Sequence, residues 1–182
     1  AAGMGKRLGE LTRENTKCMI KVHQQTLIER MIKQLGNLQL DRIILVIGYK
    51  GDKVKSLIGN KIGNIPILYI ENSIYDKTNK IYSLYLAKKY LVEDETLLLA
   101  SDLIFSDIIL QKLIADPNPN LAVVAKYQSW MDGTVVTLDE ENNILNFISK
   151  KAFMFSLKDS YYKTVNIYKF SKEFSMNKYV PF

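Results

Sequence analysis

Apolar positions along the chain recur with two different periods, and the switches between them mark its elements. Leu27, Ile28, Met31, Ile32 and Leu35 follow helical spacing behind Thr26-Leu27-Ile28-Glu29, a capping-box pattern, and predict a helix over 26–35. Ile43-Ile44-Leu45-Val46-Ile47, closed by Gly48, is the mostly β-branched run of a strand covered on both faces in a parallel sheet. Asp52 is placed to cap a short helix reaching Ile58, and 65–70 reads as the next strand. After a polar stretch over 71–80, apolar spacing over 81–87 is again helical, and Thr96-Leu97-Leu98-Leu99-Ala100 is a fully apolar strand ending in Ser101-Asp102. Ser106 or Asp107 then caps a helix through Ile114.

Asp116-Pro117-Asn118-Pro119-Asn120 is the clearest break, and beyond it the pattern becomes mostly strand. Strands are predicted over 121–125, 134–138 and 144–148, the last two joined as a hairpin, and over 162–170, with Ser171 capping a final short helix. No internal repeat or low-complexity segment interrupts them. The pattern predicts a single α/β domain over 1–182, with a parallel α/β half over 1–116 and a mixed-sheet half over 121–182.

Composition narrows the chemistry. The 182 residues are 47% hydrophobic and 24% charged, long enough to bury a full core. No apolar run approaches the ~18 residues that span a bilayer, and the N-terminus lacks the layout of a signal peptide, so a cytoplasmic protein with no membrane partner is expected. One cysteine excludes an internal disulfide, and one histidine makes a Ser-His-Asp triad awkward; together they leave no His/Cys zinc site. Cys18 and His23 therefore read as structural. A net charge of +6 favours an anionic partner, and lysines scattered without a run favour a phosphorylated small molecule over nucleic acid.

The phosphate site is expected in the first twenty-one residues, AAGMGKRLGELTRENTKCMIK. Ala1, Ala2, Gly3 and Gly5 leave little side-chain bulk, so backbone N–H groups can approach an anion closely beside Lys6, Arg7 and Lys17. A P-loop is excluded, because Gly5-Lys6 is followed by Arg7 and has no glycine five positions earlier. A dinucleotide fingerprint is excluded as well: Gly3, Gly5 and Gly9 are spaced one residue too widely, and Gln24 and Gln25 stand where an acid is needed. Strand, glycine loop, helix is the order such a site requires. An apolar strand ahead of Ala1 is therefore expected, and the chain reads as a fragment lacking that strand and a C-terminal part, with room for a fused partner domain.

Ala2, Gly3, Gly5, Arg7, Leu8, Lys17 and Met19-Ile20 match, position by position, the A-G-x-G-x-R-L…K signature of nucleotidyltransferases, and the chain resembles that superfamily. It departs at Thr16, where the family has Pro, which implies a less rigid loop. The resemblance implies a three-layer Rossmann-like fold with a mixed, mainly parallel central sheet. It also implies Mg²⁺ held by Asp102, at the carboxyl end of a central strand; read from position alone, Asp102 fits a turn or helix cap equally well.

Thr78-Asn79-Lys80-Ile81-Tyr82-Ser83-Leu84 resembles the base-reading segment of the cytidylyltransferases that activate phosphocholine and 2-aminoethylphosphonate. Asn79 and Ser83 have hydrogen-bonding groups for a pyrimidine edge, although Asn79 also fits a plain helix cap. Trp130-Met131-Asp132-Gly133-Thr134 resembles the acceptor segment of that branch. With Tyr127 it offers aromatic faces and a carboxylate for an amine-bearing acceptor, and Lys150 or Lys151 for its phosphate.

The resemblance thus implies CMP transfer from CTP to a phosphate or phosphonate with loss of pyrophosphate. Backbone near Ala2, Gly3 and Gly5 would hold the triphosphate, Arg7 its outer phosphates, Lys17 the α-phosphate and incoming oxygen, and Asp102 the metal. The family's second metal-binding Asp has no counterpart after Lys163, where Glu173 is the only acid. A sugar-1-phosphate nucleotidyltransferase, a non-catalytic nucleotide-binding regulatory domain and, third, a basic nucleic-acid module remain as alternatives.

Overall fold

The computed structural model describes residues 1–3 and 5–180, the side chains of Lys6, Arg7 and Leu11 excepted. Two 3-10 segments, Lys6–Thr12 and Lys17–Met19, follow the glycine loop. Strands β1 (Lys21–Val22) and β2 (Gln25–Thr26) then pair as a minimal hairpin whose turn, His23 and Gln24, has φ of 49° and 66°. His23 sits exposed in that turn, and no pattern in the sequence announced it.

Helix α1 (Leu27–Gly36) begins at the predicted capping box: the Thr26 N–H donates to Glu29 Oε2 at 2.9 Å and the Glu29 N–H to Thr26 Oγ1 at 3.2 Å. Its Ile28, Met31, Ile32 and Leu35 are buried against β3 (Ile43–Ile47). Helix α2 (Gly51–Ile58) starts two residues earlier than a cap at Asp52 requires. Lys50, at φ 53°, holds the N-cap position, and Asp52 lies in the first turn. Gly51 packs closely on β3, where an added Cβ would stand 2.9 Å from Ile47 Cδ1.

Next come β4 (Lys61–Ile62), β5 (Ile65–Glu71), α3 (Lys80–Leu86), α4 (Lys88–Leu91), β6 (Thr96–Leu99) and α5 (Asp107–Ala115). The second half supplies β7 (Leu121–Lys126), β8 (Val135–Leu138), β9 (Ile144–Ile148) and β10 (Tyr162–Phe170). Helix α6 (Lys172–Phe174) runs on into a π-helical turn over Ser175–Tyr179, with Ser171 Oγ accepting from the Phe174 N–H as its cap.

The mixed α/β architecture follows the sequence pattern, with its strands divided between two larger sheets. Strand β3 pairs in parallel with β5, and β4 closes that sheet antiparallel. The other sheet has the order β6-β10-β8-β9 with β7 also on β10, every pairing antiparallel. The predicted hairpin is the β8–β9 pair. One core spans both sheets, joining α1 and β3 to Ile67 of β5, Leu110 and Leu113 of α5 and Ile167 of β10. Between the sheets runs a cleft of about 2400 Å³, walled by Ile43 to Val46 of β3 and Thr96 to Leu99 of β6. No helix among the described residues is long and apolar enough to cross a membrane.

Candidate functional site

The glycine loop is held in a defined shape by its neighbours. Gly5 has φ 66°, and a Cβ there would stand 2.9 Å from Thr12 Cγ2 and 3.2 Å from Lys17 Cβ, so both backbone and space demand glycine. Thr12 Oγ1 donates to the Gly5 carbonyl at 3.0 Å, and the Tyr49 N–H donates to the Ala2 carbonyl at 3.2 Å, tying the loop to the carboxyl end of β3. Thr16, in the place of the family's proline, is buried with its hydroxyl 3.3 Å from the Gly3 carbonyl and 3.5 Å from that of Ala1. One hydroxyl proton serves one carbonyl at a time, yet either bond supplies from a side chain some of the restraint a proline ring would give. The side chain of Arg7, expected at the outer phosphates, lies outside the described residues.

Lys17 and Asp102 meet as an ion pair. The Asp102 side chain is 25% exposed and that of Lys17 46%, so the pair is open to a ligand entering the cleft. Asp102 is aimed by its flanks. The Ala100 N–H donates to the carbonyl of Asn166, a residue at φ 59° in the irregular middle of β10, and Gln34 of α1 donates through Nε2 to the Phe105 carbonyl at 3.0 Å. Cys18 is buried beside this centre, and burial pushes its thiol pKa up, as suits an inert packing residue.

Asn79 caps α3, its Oδ1 accepting from the N–H groups of Ile81 and Tyr82 at 3.0 and 3.3 Å. That bond uses the side-chain oxygen and leaves the amide end exposed toward solvent. Ser83 is placed by Asn72, a fully buried residue absent from the sequence reading. Asn72 Nδ2 donates to Ser83 Oγ at 3.2 Å and to Thr78 Oγ1 at 3.0 Å, while its Oδ1 accepts from the Ile74 N–H. Its position directly after β5, at the carboxyl end of a parallel strand, was the available signal.

Ala2, Gly3, Gly5, Lys17, Asn79, Ser83 and Asp102 all line the one cleft, although they come from three separate stretches of chain. The acceptor candidates Tyr127, Trp130, Asp132, Lys150 and Lys151 do not line it. They gather on the second half, where Lys150 Nζ bonds Asp132 at 3.0 Å, Tyr127 packs on Phe153 with ring centres 5.0 Å apart, and Trp130 is 79% exposed. Lys151 is exposed. Among the described residues no three His, Cys, Asp or Glu side chains are grouped to hold a metal ion. Asp102, the carboxylate paired with Lys17, is the residue of this centre that could hold a metal ion.

The chain is 26% identical to CMP-5'-(3-aminopropyl)phosphonate synthase of Streptomyces rubellomurinus over all of its own length, which is 29% of that relative. It is 30% identical to CTP:phosphoglutamine cytidylyltransferase of Campylobacter jejuni, covering 96% of this chain and 72% of that one. Among solved structures, the inositol-1-phosphate CTP transferase of T. maritima shares the fold with a TM-score of 0.71 at 24% identity, over 98% of this chain and 71% of that one. The model of the MobA-like NTP transferase domain matches residues 1–151, and the chain belongs to that family.

Proposed function

We propose that the protein is a Mg²⁺-dependent cytidylyltransferase that passes CMP from CTP to a small amine-bearing phosphate or phosphonate. The observation that carries this reading is the Lys17–Asp102 ion pair, which joins the segment after the glycine loop to the end of β6 in a cleft that Asn79 and Ser83 also line. Two relatives whose names specify CTP or a CMP product support the choice of nucleotide.

In the reaction, an anionic acceptor oxygen attacks the α-phosphorus of CTP. A P–O bond to the acceptor forms, the bond from α-phosphorus to the bridging oxygen breaks, and pyrophosphate leaves with that electron pair. The acceptor is already ionised near neutral pH, so no base is required, and the protein's task is alignment and charge neutralisation. Backbone amides around Gly3 and Gly5 receive the triphosphate. Lys17 lies against the α-phosphate and the incoming oxygen, exchanging its bond to Asp102 for one to substrate. Asp102 would hold Mg²⁺, which supplies Lewis-acid polarisation of the phosphates when bound. Asn79 and Ser83 face the base, and Tyr127, Trp130 and Asp132 the acceptor's amine end.

The test is pyrophosphate release by the full-length protein with Mg²⁺, a panel of the four nucleoside triphosphates, and phosphocholine, 2-aminoethylphosphonate and a sugar 1-phosphate as acceptors. Release with CTP and an amine-bearing acceptor is expected. Preference for a sugar phosphate, or CTP binding without release, would replace this reading with one of its alternatives.

A further inference from the structure

The hydrogen bonds around Asn72 have a direction, and that direction reaches the cleft. Asn72 follows β5 directly and is 1% exposed, and its backbone N–H donates to the Ile47 carbonyl at 2.8 Å, which locks it to the end of β3. Its side-chain Oδ1 accepts from the Ile74 N–H at 3.2 Å. A backbone N–H can only donate, so the oxygen is the end of the carboxamide that faces Ile74, and the NH₂ end faces Thr78 and Ser83. Nδ2 donates to Thr78 Oγ1 at 3.0 Å and to Ser83 Oγ at 3.2 Å.

Both hydroxyls are thereby acceptors on the side of Asn72, and their protons point elsewhere. The Thr78 hydroxyl donates to the Ile74 carbonyl at 2.9 Å, which uses its one proton. Ser83 is half-buried and lines the cleft, and its hydroxyl makes no other hydrogen bond among the described residues. The positive amide hydrogens of Asn72 turn the Ser83 proton toward the open side, so the group it presents to the cleft is a donor. The opposite orientation would set that proton against the Asn72 amide and leave a buried N–H unmet, which costs about 1–3 kcal/mol.

We propose that Asn72 is a positioning residue that acts through Ser83: it fixes the Ser83 hydroxyl as a donor toward the O2–N3 edge of the bound base and so makes the site select cytosine over uracil. This rests on the cytidylyltransferase reading above, in which Ser83 meets the base. The two pyrimidines have nearly the same shape. At the O2–N3 edge cytosine offers two acceptors, whereas uracil offers one acceptor and the N3–H donor. Asn79 has the same polarity as Ser83, since its oxygen is taken up by the Ile81 and Tyr82 N–H groups and its NH₂ end is left over. Fixed donors therefore match cytosine, while with uracil a donor faces a donor.

The experiment uses full-length protein and compares wild type with Asn72→Ala, Asn72→Asp, Ser83→Ala and the double variant Asn72→Ala/Ser83→Ala. The readout is the ratio of kcat/KM for CTP to that for UTP, from pyrophosphate release with phosphocholine or 2-aminoethylphosphonate, and binding of both nucleotides is measured separately by calorimetry. CTP and UTP share ribose and triphosphate, so the ratio cancels a general loss of folded protein or a change of charge. It should fall roughly 3- to 10-fold in Ser83→Ala and in Asn72→Ala, the size of one neutral hydrogen bond. Asn72→Asp keeps the shape but accepts the Ser83 proton and turns the hydroxyl round, so its ratio should fall at least as far. The double variant should match Ser83→Ala, because Asn72 then has nothing to act through. An unchanged acceptor KM shows that a variant folds, and Ser83→Ala, at a half-buried position, stands as a test by itself if neither Asn72 variant folds. An unchanged ratio in Ser83→Ala or in Asn72→Ala, or a double variant whose ratio falls by the product of the two single effects, would overturn the proposal and leave the transfer reaction standing. Wild type that binds UTP as tightly as CTP overturns it too. If wild type prefers CTP in binding in an Asn72-dependent way yet releases no pyrophosphate, the base site stands and the transfer reaction falls.

Discussion

Lys17 and Asp102 form an ion pair that joins the end of the glycine loop to the carboxyl end of β6. If Lys17 binds the triphosphate and Asp102 a metal as proposed, each must loosen its hold on the other to do so. With both side chains partly exposed, the pair contributes at most about 1 kcal/mol to stability. Lys17→Ala should therefore unfold within about 1 kcal/mol of wild type in a denaturant titration, while transition-state stabilisation falls by roughly 3 kcal/mol in pyrophosphate-release assays. Near-normal turnover would remove Lys17 from the mechanism.

Gly5→Ala should cost about 1–3 kcal/mol of stability, because φ 66° is strained for alanine and its Cβ would press into Thr12 and Lys17. Thermal melting checks the first part. The CTP KM checks the second, since a displaced Lys17 should raise it well before the acceptor KM changes.

Thr26→Ala removes the hydroxyl half of the capping box, leaving the backbone N–H of residue 26 to bond Glu29, and should destabilise the protein by about 1 kcal/mol in chemical unfolding. The Thr26 hydroxyl, then its N–H, hold the Glu29 carboxyl below its usual range. A depressed carboxylate pKa stabilises the fold above the unfolded-state value and loses that contribution as pH falls through the folded-state value. Wild type and Glu29→Gln should thus differ most near neutral pH and converge in the acid arm of a stability-pH profile.

Asn72→Ala leaves Ser83 and Thr78 without their shared donor and should cost about 1–3 kcal/mol. Its functional mark should be a raised KM for CTP with an unaltered acceptor KM. Equal effects on both substrates would assign Asn72 to general packing.

Trp130→Ala should leave the melting temperature unchanged, since a side chain 79% exposed carries little packing energy. If its ring receives the acceptor's ammonium, the phosphocholine KM should rise by about 3- to 30-fold, the range of cation–π contributions of ~0.5–2 kcal/mol, and an acceptor without an amine should show no change.

Much of this architecture could be read from the chain because the signals were local. The capping box at Thr26, the apolar run of β3, the β8–β9 hairpin and the full extent of β10 depend on neighbouring residues and appear where the pattern put them. The glycine loop, too, is encoded within one short stretch, since Gly5 is required by contacts with Thr12 and Lys17 in the same N-terminal segment. The start of α2 differs from the pattern because Lys50 holds the N-cap position with no side-chain cap bond, so no polar cap residue marks it in the sequence.

What only the tertiary structure decided are relationships between residues far apart in sequence. The Lys17–Asp102 pair, the placement of Ser83 by Asn72, and the Lys150–Asp132 pair have no signature in a linear pattern, because charge and hydrogen bonding act through space while periodicity reports only along the chain. Family motifs in the sequence named the loop and the carboxylate. Packing of two sheets around one core brought them to a single cleft and set the acceptor residues apart on the second half.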